Sequence, residues 1–168
     1  MKLNFLNLRT QSLLKKNRPP RATIPYNQAN SIGVLFTVED RKRHDEIKEF
    51  IHRLEKDGKK VQVFSFLPKE KNNHEFLFDF FTVKDVSFWG NIISGNAEKF
   101  YNTPFDYLFY LDSEPNPILL NIMARSKARC RIGRHWENSL SYFELMIDTV
   151  SNSKSLFDTF YKYSTQLK

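Results

Sequence analysis

Two short runs of β-forming residues with one amphipathic helix between them constrain the fold more than any other feature of this chain. Ile32 to Val38 (IGVLFTV) is almost wholly apolar, as a strand must be when both of its faces are covered. Asp40 to Asp57 follows with Ile47, Phe50, Ile51 and Leu54 at i, i+3, i+4 and i+7, a single apolar stripe. Thr37 and Asp40 suit a capping-box-like start, and Gly58 suits the residue just past the helix end. Lys60 to Phe66 (KVQVFSF) then returns to strand. Strand, helix and strand within about 35 residues form a βαβ unit, whose crossover is expected to be right-handed.

The rest of the chain extends that unit. Residues 67–75 form a polar loop, and residues 76–90 (FLFDFFTVKDVSFWG) suit a short strand followed by irregular structure. A brief helix is expected over Asn96–Asn102 and a third buried strand over Phe105–Leu111. Asn116 can cap a helix with Pro117 at its first position, a favoured pairing, and that helix runs to about Ala128. Cys130–Gly133 and Phe143–Thr149 read as two more strands, and Lys154–Gln166 as a final helix. The pattern predicts a single α/β domain over residues 31–168. Its form is a three-layer sandwich around a mostly parallel, doubly wound, half-Rossmann-like sheet.

Residues 1–30 differ in charge. They hold Lys2, Arg9, Lys15, Lys16, Arg18 and Arg21 and no acidic residue. Removing those six from the 26 Lys and Arg leaves 20 against 19 Asp and Glu, so a near-neutral body carries a basic N-terminal arm. A polyanionic partner follows, either RNA (free or in a ribonucleoprotein) or an anionic membrane surface. Leu3, Leu6, Leu13 and Leu14 lie near one helical face among the cations, which suits docking on the domain, a membrane surface or a mitochondrial presequence. The continuous apolar centre of a secretory signal is missing. Arg18-Pro19-Pro20-Arg21 ends any helix, so Asn17–Asn30 reads as a linker. No apolar run approaches the ~20 residues needed to span a bilayer, and the single cysteine, Cys130, suits a reducing compartment.

Ligands of such sheets sit outside the carboxyl ends of the strands. There the sequence supplies Asp112 and Glu114 after the third strand and Arg134 and His135 after the fourth, a candidate pocket for a polar ligand or for acid–base work. Neither G-x-G-x-x-G nor G-x-x-x-x-G-K-[ST] occurs, and Glu39 and Asp40 follow the first strand where a phosphate would sit, so no nucleotide cofactor is expected. His44 and His52 are too far apart to chelate as an i, i+4 pair, and His74 and His135 stand alone, so no metal is expected either. Cys130 suits a small core residue, and no nucleophile elbow occurs. Arg125, Lys127, Arg129, Arg131 and Arg134 form a second basic feature, which can contact phosphates or oppose a helix macrodipole. Phe76, Phe78, Phe80, Phe81, Phe88 and Trp89 are candidates for core or for base stacking.

From Phe88 onward the chain resembles an uncharacterised bacterial family, mostly from Bacteroidota, known as a domain of unknown function. The matching pieces are Phe88-Trp89-Gly90, Phe105-Asp106-Tyr107-Leu108, Ser126-Lys127-Ala128 through Arg131-Ile132-Gly133, and Leu145-Met146-Ile147-Asp148. That resemblance implies a bacterial cytoplasmic protein and removes the mitochondrial reading. The Ser126–Gly133 stretch is also similar to part of the first domain of certain two-domain glycosyltransferases, whose nucleotide-sugar-binding second domain has no room here. The leading expectation is a non-enzymatic cytoplasmic protein that binds RNA through Lys15, Lys16, Arg18 and Arg21, with Arg129 and Arg131 as additions. The alternatives are a ligand-binding or enzymatic domain at the carboxyl edge, and a membrane-peripheral or protein-interaction domain using Leu3, Phe5, Leu6, Leu13 and Leu14.

Overall fold

The computed structural model describes residues 2–69, 71, 78–148 and 153–168. Six strands form one sheet: β1 (Ser31–Thr37), β2 (Lys60–Leu67), β3 (Asp79–Thr82), β4 (Tyr107–Tyr110), β5 (Cys130–Arg134) and β6 (Leu145–Ile147). Every neighbouring pair is parallel, and the strand order is β3-β2-β1-β4-β5-β6. This is the order of doubly wound dinucleotide-binding sheets, with the chain reversing direction of travel between β1 and β4. The sequence pattern gives five strands and allows a short one within residues 76–90. That sixth strand is β3, four residues long, at the edge beside β2.

Five helices cover the sheet: α1 (Lys2–Lys16), α2 (Arg41–Lys56), α3 (Gly95–Asn102), α4 (Pro117–Arg125) and α5 (Ser153–Thr165). On one face α2 and α5 bury Ile47, Phe50, Leu54, Phe157 and Phe160 against Val34, Phe36 and Phe109, with Phe50 edge-on to Phe109 at 5.2 Å. On the other, Phe64 stacks between Phe81 (5.0 Å) and Phe100 (5.3 Å), and α4 buries Leu119, Ile122 and Met123. Much of the aromatic supply is therefore core. Asp40 caps α2 by accepting from the Arg43 amide at 2.8 Å; Thr37 does not share that cap. Gly58 has φ +78° just past the helix end, and Asn116 caps α4 with Pro117 in its first turn, both as the sequence indicates. Among the described residues no helix is long and apolar enough to cross a membrane.

The basic N-terminal segment is built into the second face. Leu6 is completely buried. Thr10 is buried beside it, its hydroxyl donating to the Leu6 carbonyl and accepting from the Asn121 amide of α4, both at 2.8 Å. Asn17 donates to the Ala124 carbonyl at 2.8 Å and to that of Ser126 at 3.3 Å, satisfying acceptors that the end of α4 leaves open. Residues 17–30 then run along the molecule, pinned by Ala22 N–H to the Arg129 carbonyl (3.0 Å), Tyr107 hydroxyl to the Ile24 carbonyl, and Tyr26 N–H to the Leu167 carbonyl (3.0 Å). Of the apolar set expected to meet a membrane, Leu6 belongs to the core, Phe5, Leu13 and Leu14 are half-buried, and Leu3 is exposed.

Candidate functional site

The contacts that pin residues 17–22 to residues 124–129 bring together two basic segments more than 100 residues apart in sequence. Lys15, Lys16 and Arg18 sit at the end of α1, and Lys127 and Arg129 lie just past α4; all five are exposed. The Arg129 guanidinium lies 3.7 Å from Asp106. The six expected phosphate-contacting cations therefore divide. Arg131 is buried and forms a bidentate pair with Glu144, Nε at 3.0 Å and Nη2 at 2.7 Å, while its Nη1 donates to the Met123 carbonyl at 3.2 Å. Its charge is committed inside the fold, which removes it from a phosphate-contacting set. Arg21 is half-buried, donates to the Ala128 carbonyl and lies 3.7 Å from Glu144. Burial, and next the neighbouring Arg131 charge, push its guanidinium down to about 10. Lys15, Lys16, Arg18 and Arg129 keep their side chains at the surface.

The carboxyl edge is arranged differently from the sequence expectation. Asp112 and Glu114 line an open groove of about 410 Å³ at the β1/β4 reversal, together with Thr37, Glu39, Asn116 and Leu3 of α1. Arg134 and His135 are not among its walls; Arg134 ends β5, one strand further on, and the following His135 amide donates to the Ile147 carbonyl at 3.1 Å. Asp112 is buried and accepts from the Thr37 amide (2.7 Å) and the Thr37 hydroxyl. Asn116 donates to that hydroxyl at 2.9 Å. Burial pushes the Asp112 carboxyl up to about 6, against the opposing pull of the two Thr37 bonds and the Arg43 charge. Arg43 is itself held by the Leu111 carbonyl (2.6 Å) and Glu39 (3.2 Å). Thr37, Asn116 and Arg43 are the members that sequence reasoning missed. The position of Thr37 and Asp112 at the ends of neighbouring strands was the available signal. Among the described residues no three His, Cys, Asp or Glu side chains gather as they would around a metal ion. His74 and Phe76 lie outside the described residues.

A family model described as a family of unknown function (DUF6913) matches residues 2–167, nearly the whole chain and every element from α1 to α5. The chain belongs to that family. No curated protein and no solved structure matches it. In this DUF6913 chain the Phe88-Trp89-Gly90 triplet receives α1. Gly90, with φ +73°, lies against the Leu6 backbone. Arg9 Nε donates to the Trp89 carbonyl at 2.8 Å, and Phe5 lies 5.4 Å from Trp89 and 6.3 Å from Phe88, ring to ring. The Ser126–Gly133 stretch has a similar structural explanation: the buried Ser126 hydroxyl accepts from the Ala128 amide at 3.0 Å, and the Lys127 and Arg129 amides donate to the Tyr101 and Phe105 carbonyls.

Proposed function

We propose that this chain is a non-enzymatic binding protein whose basic face, at the junction of α1 and α4, contacts RNA, free or in a ribonucleoprotein. The convergence of Lys15, Lys16, Arg18, Lys127 and Arg129 on one surface carries this reading. Cations at helix C-termini also oppose the macrodipole, but two helix ends present only about one unit of negative charge between them. Asp106 reaches one of the five, and Glu144 is taken up by Arg131 and Arg21. Exposed positive charge therefore exceeds what the fold uses, and a phosphate backbone is the partner that such a surface suits. A cytoplasmic location belongs to the same proposal, in keeping with a lone, buried, unbridged Cys130.

The test is fluorescence anisotropy with labelled RNA across a salt series. If all five cations meet phosphates of a single strand, log affinity falls against log salt with a slope of about −3.5. Raising salt from about 50 to 200 mM then weakens binding roughly 100-fold. The K127A/R129A double variant should flatten the slope to about −2. Binding that is absent, or that ignores salt, would overturn the proposal. Point substitution is preferable to deleting residues 1–22, because deletion also strips Leu6 from the core.

A further inference from the structure

Phe88 and Trp89 are 47% and 59% exposed, although Val86 and Gly90 on either side are buried. Adjacent large rings left together at the surface, unlike single scattered apolar residues, mark an interaction site. Their backbone is held firmly. Ser87 donates to the Asn91 carbonyl (2.8 Å), Gly90 to the Ser87 carbonyl (3.0 Å), and Asn91 to the Ser87 hydroxyl (3.0 Å). Arg9 clamps the Trp89 carbonyl from α1. The rings support each other edge to face, Trp89 lying 5.3 Å from Phe88 and 5.4 Å from Phe5. The turn therefore presents two aromatic side chains that need little further ordering on binding.

The surroundings indicate the kind of partner. Phe5 and Arg9 lie on the flank of α1 that faces this turn, and Lys16, seven residues beyond Arg9, falls on the same flank. Helix α1 carries no acidic residue. From Phe5 to Lys16 the helix rises about 16 Å, so the aromatic pair and the basic face are ends of one short track. Rings beside cations match a nucleic acid strand, with bases on the rings and phosphates on the cations.

We propose that Trp89 and Phe88 form a base-stacking platform for single-stranded RNA, continuous with the basic face; this rests on the RNA-binding reading of that face. Duplex RNA keeps its bases stacked on one another, so the platform should discriminate by strandedness.

The experiment uses the full chain with a labelled 12-nucleotide oligouridine and, in parallel, a duplex of oligouridine with oligoadenine. Wild type is expected to favour the single strand, and W89A and F88A should each weaken it roughly 5- to 100-fold, as at other stacking sites. Tryptophan emission should fall on binding. In W89F, which retains a ring for stacking and leaves Trp136 as the only indole, affinity should persist within a few-fold while that quench disappears. Both positions are exposed, and melting curves verify that the variants fold. If W89A and F88A bind as wild type while K127A/R129A loses affinity, stacking is wrong and the basic face stands. If wild type binds neither RNA, both proposals fail; flotation with phosphatidylserine vesicles that is lost in W89A would then assign the rings to a membrane.

Discussion

Replacing Gly90 by alanine tests whether α1 is an integral part of the fold. A methyl group there would lie 2.6 Å from the Leu6 amide nitrogen and 2.8 Å from the Leu6 Cα. Two costs combine. The left-handed backbone, φ +73°, costs an L-residue about 1–2 kcal/mol. The collision is with helix backbone rather than a movable side chain, so α1 must shift, and losing the burial of Leu6 costs about 1.5–3 kcal/mol. The total is about 2.5–5 kcal/mol, which lowers Tm by roughly 5–20 °C in a chain of this size. Gly58 supplies the control: its φ is +78°, and nothing lies within 4 Å of an added methyl. G58A therefore carries the conformational cost alone, about 1–2 kcal/mol. Urea unfolding of the two variants, followed by circular dichroism, separates the terms, and the difference of about 1.5–3 kcal/mol reports α1 docking. Equal losses at the two positions would refute the packing of α1 on the 88–90 turn.

Two further outcomes concern buried charge. The Asp112 carboxyl, pushed up to about 6, sits above the ~3.9 of an unfolded aspartate, so between about pH 4 and 6 the native state holds a proton that the unfolded chain has released. Stability is thus lost as pH rises through that window, by roughly 3 kcal/mol. An asparagine side chain at this position cannot titrate, so in urea titrations D112N should gain on wild type between about pH 4 and 7; a constant difference across that range would refute the assignment. Glu144→Ala leaves the buried Arg131 guanidinium without its carboxylate and should cost about 3 kcal/mol, against about 0.5 for Asp45→Ala in the exposed Arg41–Asp45 pair. A loss under about 1 kcal/mol for E144A would show that Arg131 finds solvent instead.

The elements that could be read from sequence carry their pattern locally. β1, α2 and β2 are long, strongly periodic and closed by Asp40 and Gly58, and α4 announces itself through Asn116-Pro117. β3 was hard to place because Asp79–Thr82 is short, half-exposed, and followed at once by a 3₁₀ turn over Val83–Asp85. α1 misleads for a different reason. Its buried line includes Thr10, whose hydroxyl is satisfied by Leu6 and Asn121, so its leucine face leaves docking on the domain, a membrane surface and a presequence all open to a reading of the sequence. The Asp112 environment and the joining of the two basic segments depend on partners 75 to 109 residues away, which no local pattern encodes.

The strand order also bears on where a ligand can sit. In sheets with this order the crevice at the β1/β4 reversal is the usual ligand site, because the loops on either side part there. In this chain most of the buried polar groups at that point are paired: Asp112 is taken up by Thr37, Thr37 by Asn116, and Arg43 by the Leu111 carbonyl and the Glu39 charge, although the buried Arg43 Nε makes no hydrogen bond. Leu3 of α1 adds an apolar wall to the groove that remains. A buried group already paired offers a ligand little, and under the proposed function the partner is met instead by the exposed cations beyond those the fold uses and by the exposed rings on a fixed turn. The same helix that contributes to the wall of the crevice carries Lys15 and Lys16 to the basic face and steadies Trp89 through Arg9. If the proposed RNA-binding function holds, its docking by Gly90 and Asn121 is the structural condition for that binding, and G90A should weaken RNA binding along with stability.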